Sequence, residues 1–192
     1  MLMLMLMLML MPNCPCSRCG LAAVQLAKAM DAGHIAGVCS GKNETIVKEN
    51  GATEVVDYTK VDVVDHFDRQ ELEKFDIVFD AATNSGGGED YREKSLKLLK
   101  KDETSHGQYV AINGAASMWA RNFTIGQKKN EHLVITNMNT SDLEVLSLMA
   151  EEGKLKPVVC EHLPLDAKSL QQGFDLLKSR RAVGKIVFDL TK

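Results

Sequence analysis

The chain has 192 residues, 45% apolar and 26% charged, which bounds it to one globular domain with an attached piece. Its net charge of -3 gives no electrostatic reason to expect nucleic acid or an acidic membrane surface, although a dinucleotide needs only a local patch. Five cysteines, an odd count without a secretory signal, point to a reducing compartment rather than a disulfide framework.

The chain opens on an alternating Met/Leu tract over residues 1–11. The tract is too short to span a bilayer, which takes about 20 apolar residues, and it lacks the basic flank and cleavage site of a signal peptide. A soluble protein with no membrane span is expected. Residues 21–30 place Leu21, Val24, Ala27 and Met30 on one helical face. Residues 34–39 (HIAGVC) read as a short buried strand, and residues 43–50 as a helix with Asn43 as N-cap and Gly51 as its stop. Residues 54–58 (EVVDY) predict another short strand. The acidic run over 62–73 reads as a solvated face, with a short helix ending at 71–74. A stronger strand follows at 75–80 (FDIVFD), then a glycine loop at 86–88 and a helix at 91–100. Two more strands are predicted at 107–112 (GQYVAI) and 133–136 (LVIT). A helix over 142–152 carries a capping box, Ser141 with Glu144, and stops at Gly153. A strand at 157–160, a helix at 168–181 and a strand at 185–190 close the chain. Apolar strands alternating with helices predict an α/β fold, a parallel sheet covered on both faces.

The segments AVQLAKAM, GVCSGKN, GATEVVDY, FDIVFDA, QYVAINGA, EEGKLKPVV and RAVGKIVF follow one another from about residue 20 to residue 190. In that order they resemble the medium-chain dehydrogenase/reductase superfamily, and within it the zinc-independent, quinone oxidoreductase-like branch. The resemblance implies a Rossmann-type doubly wound, mostly parallel sheet with helices on both faces. It implies that residues 1–19 replace the first strand and the glycine-rich turn, and that residues 20–140 form the dinucleotide-binding domain. Residues 141–192 would be a helix–strand–helix–strand segment that in the family returns to a GroES-like catalytic domain, no part of which is visible here. Error in gene assembly is the competing reading of the Met/Leu tract, because Met–Leu repetition carries no turn or packing specificity.

The implied cofactor is NADPH (NADP), and the implied chemistry is hydride transfer to a quinone or an activated alkene or carbonyl. The partner is then a small-molecule quinone or enone, with no nucleic acid and with homo-oligomerisation left open. The cytoplasm is the expected location, an organelle the alternative. A non-catalytic nucleotide-binding or interaction module that keeps the fold without turnover is the second reading.

Carried over position by position, the glycine-rich turn is altered. Cys14 and Ser17 stand where the first two glycines belong, only Gly20 remains, and Pro15 removes a donor, so weakened pyrophosphate binding is expected. Arg18 offers partial charge compensation. Ser40, Lys42 and Tyr58 resemble the group that receives a 2′-phosphate, since a hydroxyl beside an ammonium suits that anion. A solvated lysine and an N-cap serine are the plainer reading of Lys42 and Ser40. Asp80 and Ala81, then Ile112, Asn113 and Gly114, end the fourth and fifth strands and would flank the nicotinamide and its ribose. Asp80 reads equally as a strand-end cap, and Lys185 beside Gly184 as a surface lysine. No residue stands out as a general acid.

Cys14, Cys16 and Cys19 have metal-like spacing, yet no fourth ligand is evident nearby and the branch resembled has no zinc, so no metal is expected. The histidines are scattered, and Trp119 is assigned to packing. Segments 157–164 and 185–190, deprived of a catalytic domain, must pair with each other, attach to a sheet edge or expose backbone. They are expected to be irregular or an association surface.

Overall fold

The computed structural model describes residues 5–9, 17–70, 74–83, 90–101, 107–137, 139–179 and 182–191, with side chains from residue 19 onward. Its first half runs β1 (Met5–Met9), α1 (Ser17–Ala29), β2 (His34–Cys39), a 3-10 turn (Gly41–Asn43), α2 (Glu44–Glu49), β3 (Glu54–Asp57), α3 (Val63–Arg69) and β4 (Ile77–Asp80). Then follow α4 (Arg92–Leu98), β5 (Gln108–Ala111), α5 (Ala116–Thr124), β6 (Glu131–Leu133), α6 (Thr140–Glu151), β7 (Val159–Pro164), α7 (Ala167–Lys178) and β8 (Lys185–Asp189). Six strands form one sheet in the order β3-β2-β1-β4-β5-β6, and every neighbouring pair is parallel. That is the doubly wound Rossmann order.

The Met/Leu tract supplies the central strand: Met5 pairs with His34 on one side, and Met9 pairs with Asp80 on the other. Side chains alternate across a strand, so the apolar runs feed two cores at once. Ala36, Val38, Val56, Val78, Tyr109 and Ala111 pack with Val63 and Phe67 of α3 and Leu98 of α4 on one face. Ile35 and Cys39 turn to the other face, against Leu21, Val24 and Ala27 of α1 and Val47 of α2. Burying a side chain such as Val24 or Leu98 contributes about 1.5–3 kcal/mol, so the layers on both faces stabilise the sheet.

Helix α1 begins at Ser17, four residues before the expected start, and Ser17 is therefore helical rather than part of a turn. Asn43 stands at the N-cap of α2 but its side chain makes no cap bond, and Gly51 (φ 120) ends the segment as expected. Helix α3 departs from the solvated face read in its acidic run. Asp62 caps it through Val64 N (2.9 Å) and Asp65 N (3.3 Å), while Val63 and Phe67 enter the core. The Phe67 ring meets Phe75 edge-on at 5.0 Å. The helix closes at Arg69, and residues 71–73 lie outside the described residues, as does the glycine loop at 86–88.

Two further expectations are corrected. The sixth strand is Glu131–Leu133, not 133–136. β5 ends at Ala111, opposite Leu133, so apart from one bond from Val134 N to Ala111 O the chain beyond has no ladder to join, and Val134 and Ile135 are exposed. The cap of α6 is Asn139, which accepts from Asp142 N at 2.8 Å, whereas Ser141 donates its hydroxyl to Asn139. Gly153 (φ 70) closes that helix as expected.

Segments 159–164 and 185–189 are not irregular. β7 pairs with β8 in parallel from Val159↔Lys185 to Pro164↔Asp189, with one register shift, as a separate two-stranded sheet. Two strands alone are marginal. Here α7 packs on them: Gly173 lies so close to Phe188 that a Cβ there would stand 2.6 Å from its ring. Buried Gln25 of α1 ties this segment to the main sheet, accepting from Lys156 N (2.7 Å) and donating to Lys156 O (2.9 Å) and to Asn50.

At the amino-terminal edge of the sheet, the Glu54 carboxylate lies between His34 Nε2 (3.1 Å) and His66 Nε2 (2.7 Å). Burial works to raise its pKa, but hydrogen bonds from His66 and Gln70 and the nearby His34 outweigh it and hold the carboxyl below the usual range. A depressed folded pKa means stability that is complete above the unfolded carboxylate value, about 4.3, and lost as pH falls through the folded one. Urea unfolding of Glu54→Gln should therefore show a deficit at pH 7 that shrinks towards pH 3. A deficit of constant size would contradict this.

Candidate functional site

All six strands of the main sheet point the same way, so their carboxyl ends share one edge, and the strand order reverses between β1 and β4. Ligands of open α/β sheets bind outside such an edge, at such a reversal. α1 follows β1 directly in this place, and its N-terminal amides and dipole favour an anion. Ser17 is its first residue and Gly20 lies buried in its first turn. Cys14, Pro15 and the rest of the altered turn lie outside the described residues.

Ser40 leaves β2 in extended conformation (φ -74, ψ 148) and opens the 3-10 turn, 7% exposed and with no side-chain cap bond. Among the described residues its Oγ accepts a long contact from Asn43 Nδ2, 3.5 Å. Lys42 projects from the same turn and is exposed. Tyr58 follows β3, donates its amide to Cys39 O (3.3 Å) and leans on the core.

Parallel pairing of β2 with β3 sets Cys39 beside Asp57, and this adds two residues that the sequence reading missed. A Cβ on Gly41 would stand 2.5 Å from Asp57 Oδ2 and 3.9 Å from Lys60 Nζ. Asp57 accepts from the Thr59 hydroxyl (2.6 Å) and amide (3.0 Å) and pairs with Lys60 at 3.4 Å. These contacts, the Thr59 hydroxyl foremost, keep its carboxyl below the usual range. The buried Cys39 thiol is pushed up to about 11, first by burial and then by the charges of Asp57 and Glu44. It stays a neutral, unreactive thiol.

Asp80 is fully buried and committed to the protein. Its carboxylate accepts from Ala82 N (2.7 Å), Thr83 N (2.9 Å), the Thr83 hydroxyl (2.5 Å) and the Tyr109 hydroxyl (2.7 Å). Both oxygens face inward donors, as a strand-end cap requires. Burial, reinforced by the Asp80 charge, raises the Tyr109 phenol well above its ordinary pKa. Ala81 is buried beside this network.

Ile112 donates its amide to Asp80 O (3.1 Å), which ties the exits of β4 and β5 together. Asn113 Oδ1 accepts from Gly114 N at 3.0 Å. Gly114 is buried, and a Cβ on it would come within 3.3 Å of Met118 and Leu133. Ser40, Tyr58, Ala81, Ile112, Asn113 and Gly114 thus follow the ends of β2, β3, β4 and β5 on one edge, with β1 between β2 and β4. Lys185 begins β8, outside that sheet.

Among the described residues no three His, Cys, Asp or Glu side chains are grouped to hold a metal ion, and no helix is long and apolar enough to cross a membrane. Cys19 is free and exposed, while Cys14 and Cys16 lie outside the described residues.

Residues 50–188 match the family model described as zinc-binding dehydrogenase. The chain is 30% identical over 169 residues to the chloroplastic NADPH-dependent alkenal/one oxidoreductase of Arabidopsis thaliana, covering 88% of this chain and 37% of that protein. It is 28% identical over 176 residues to quinone oxidoreductase of Sus scrofa, covering 88% of this chain and 50% of that one. The chain therefore spans half the length, or less, of these relatives. A solved NAD-dependent alcohol dehydrogenase superposes with a TM-score of 0.69 at 26% identity, over 96% of this chain and 50% of the other. With this match and the Rossmann order of its sheet, the chain belongs to the zinc-binding dehydrogenase family, in the medium-chain dehydrogenase/reductase superfamily.

Proposed function

We propose that this chain is the cofactor-binding part of an NADPH-dependent oxidoreductase that reduces a quinone or an activated alkene or carbonyl. The observation that carries the reading is the convergence of Ser40, Lys42, Tyr58, Ala81, Asn113 and Gly114 on one sheet edge, beside the N-terminus of α1. The Arabidopsis thaliana relative, NADPH-dependent and acting on alkenals and enones by name, supports it.

The nicotinamide, when bound, supplies the hydride. The chain's own residues bind and orient. The first turn of α1, with Ser17 and Gly20, takes the pyrophosphate. Ser40, Lys42 and Lys60 gather a hydroxyl and two ammonium groups at the ribose end, a set that suits a 2′-phosphate. Gly41 fits this role, since a side chain there would collide with Asp57. The closed network of Asp80, Thr83 and Tyr109 excludes water beneath the site and fixes where Ala81 emerges.

Replacing Lys42 by alanine should weaken NADPH binding about tenfold, the worth of one charge-assisted bond, and leave NADH binding unchanged. Calorimetric titration checks it. Equal losses for both nucleotides, or tighter NADH binding by the unaltered protein, would overturn the NADPH assignment.

A second reading, a nucleotide-binding or interaction module without turnover, draws on one feature. The phenol of Tyr109 is turned inward onto Asp80, and no histidine among the described residues follows a strand end at this edge. NADPH binding with no oxidation by phenanthrenequinone, even with a catalytic domain joined, would favour it.

A further inference from the structure

Between α5 and the outer strand β6 lies a cavity of about 150 Å³, lined by Arg92, Arg121, Lys128, Asn122, Gln127 and Glu131 among others. Arg92, Arg121 and Lys128 bring three cations to a lining that is otherwise largely apolar, with Met118 and Leu133. Glu131, 8% exposed, accepts from Arg92 Nε at 2.5 Å and Lys128 Nζ at 2.8 Å. Burial works to raise the pKa of Glu131, but the two cations outweigh it and keep the carboxyl low, so it remains an anion that anchors both. Arg92 uses its Nε for this bond, and its terminal guanidinium nitrogens remain for a further acceptor. Arg121 lines the same cavity and has no carboxylate partner among the described residues. Three cations face the Glu131 carboxylate, and the Asp90 charge also acts on Arg92, which leaves the place with a net positive surplus.

We infer that this pocket binds the phosphate group of a small molecule through Arg121, Arg92 and Lys128, the cations that outnumber the carboxylates there. A guanidinium fork held in place by a buried carboxylate is pre-organised for a tetrahedral oxyanion. Glu131 acts here as a positioning residue. The pocket lies between α5 and β6, away from Ser40 and Lys42, which follow β2 at the other side of the sheet, although Met118 and Leu133 of its lining also pack against Gly114. The inference does not use the cofactor reading, and the parallel NADPH titrations tell the two sites apart.

Trp119, the single tryptophan, lies on α5 between Met118 and Arg121 and packs against the main core, next to this place. Inorganic phosphate, phenyl phosphate and acetate would be titrated against its fluorescence at constant ionic strength, with parallel NADPH titrations. Both phosphates should give saturable changes, and acetate should bind about tenfold more weakly for want of the second charge. A preference for phenyl phosphate marks a phosphorylated metabolite, and equal binding marks free phosphate; either supports the pocket. Arg121→Ala should weaken phosphate about tenfold and leave NADPH binding unchanged, Arg121→Lys should retain most of it, and Lys168→Ala on α7 should do nothing. Among the described residues the Arg121 side chain has no hydrogen-bond or ion-pair partner, so the variant should remain folded, and circular dichroism would verify this. Phosphate binding unaltered in Arg121→Ala, an equal loss in Lys168→Ala, or equal affinity for acetate would overturn the inference.

Discussion

Asp80→Ala is expected to lower the unfolding free energy by roughly 3–6 kcal/mol, at about 1–3 kcal/mol for each buried donor left unmade and with some relaxation. Four donors converge on that carboxylate: the amides of Ala82 and Thr83, and the hydroxyls of Thr83 and Tyr109. The side chain is fully buried, so water has little access to replace the lost acceptor. The damage should spread, because Thr83 Oγ1 also accepts from Tyr91 N (3.1 Å) and so holds the start of α4. Domains are stable by about 5–15 kcal/mol, so this loss takes a large share of the whole. Asp80→Asn keeps one acceptor but turns an amide donor onto other donors, and should fall in between. Urea unfolding measures all three proteins, and a loss under about 1 kcal/mol in Asp80→Ala would contradict the network.

Gly184→Ala should cost about 2–5 kcal/mol, combining a strained backbone with a steric overlap. Gly184 has φ 106, a conformation that side-chain-bearing residues rarely adopt. An added Cβ would also stand 2.5 Å from Val158 O and 2.9 Å from Val158 C, which are backbone atoms with little freedom to move. Val158 O is the acceptor for Lys185 N (2.7 Å), the bond that starts β8. The loss should therefore appear first in β7, α7 and β8 and leave the main sheet intact. Hydrogen exchange would separate the two regions: faster exchange confined to 159–189 agrees, and uniform acceleration disagrees.

Much of the fold could be read from the residues because β2, β4 and β5 are short apolar runs bounded by polar or glycine-rich stretches. Such runs suit strands buried on both faces. β6 could not, because its strand is built around a buried ion pair, Glu131 with Arg92, while the apolar residues after it are exposed. α5 went unread for a related reason: Phe123 is largely exposed, and Met118 and Trp119 make only partial core contacts. Its stop, Gly126 at φ 92, is visible only in the backbone. Asn139 and Ser141 are both good caps by type, and only the direction of their mutual hydrogen bond decides between them.

The candidate site divides in the same way. Ser40, Tyr58, Ala81 and Asn113 were legible because each follows a strand, and strand ends can be located from pattern. Asp57 and Lys60 were not, since only the parallel register of β2 against β3 sets them beside Gly41. Asp80 was legible as a strand end and a cap, but its bond from the Tyr109 hydroxyl was not, because that residue comes from the neighbouring strand.

The central claim is that a nicotinamide dinucleotide lies along the carboxyl edge of the six-stranded sheet. Amide chemical shifts of the isotopically labelled protein, followed during an NADPH titration, test it most directly. Shifts at Gly20, Ser40, Lys42, Tyr58, Ala81, Asn113 and Gly114, with His34, Glu54 and His66 at the opposite edge unmoved, are the predicted result. Shifts confined to that opposite edge, or none at saturating nucleotide, would contradict it.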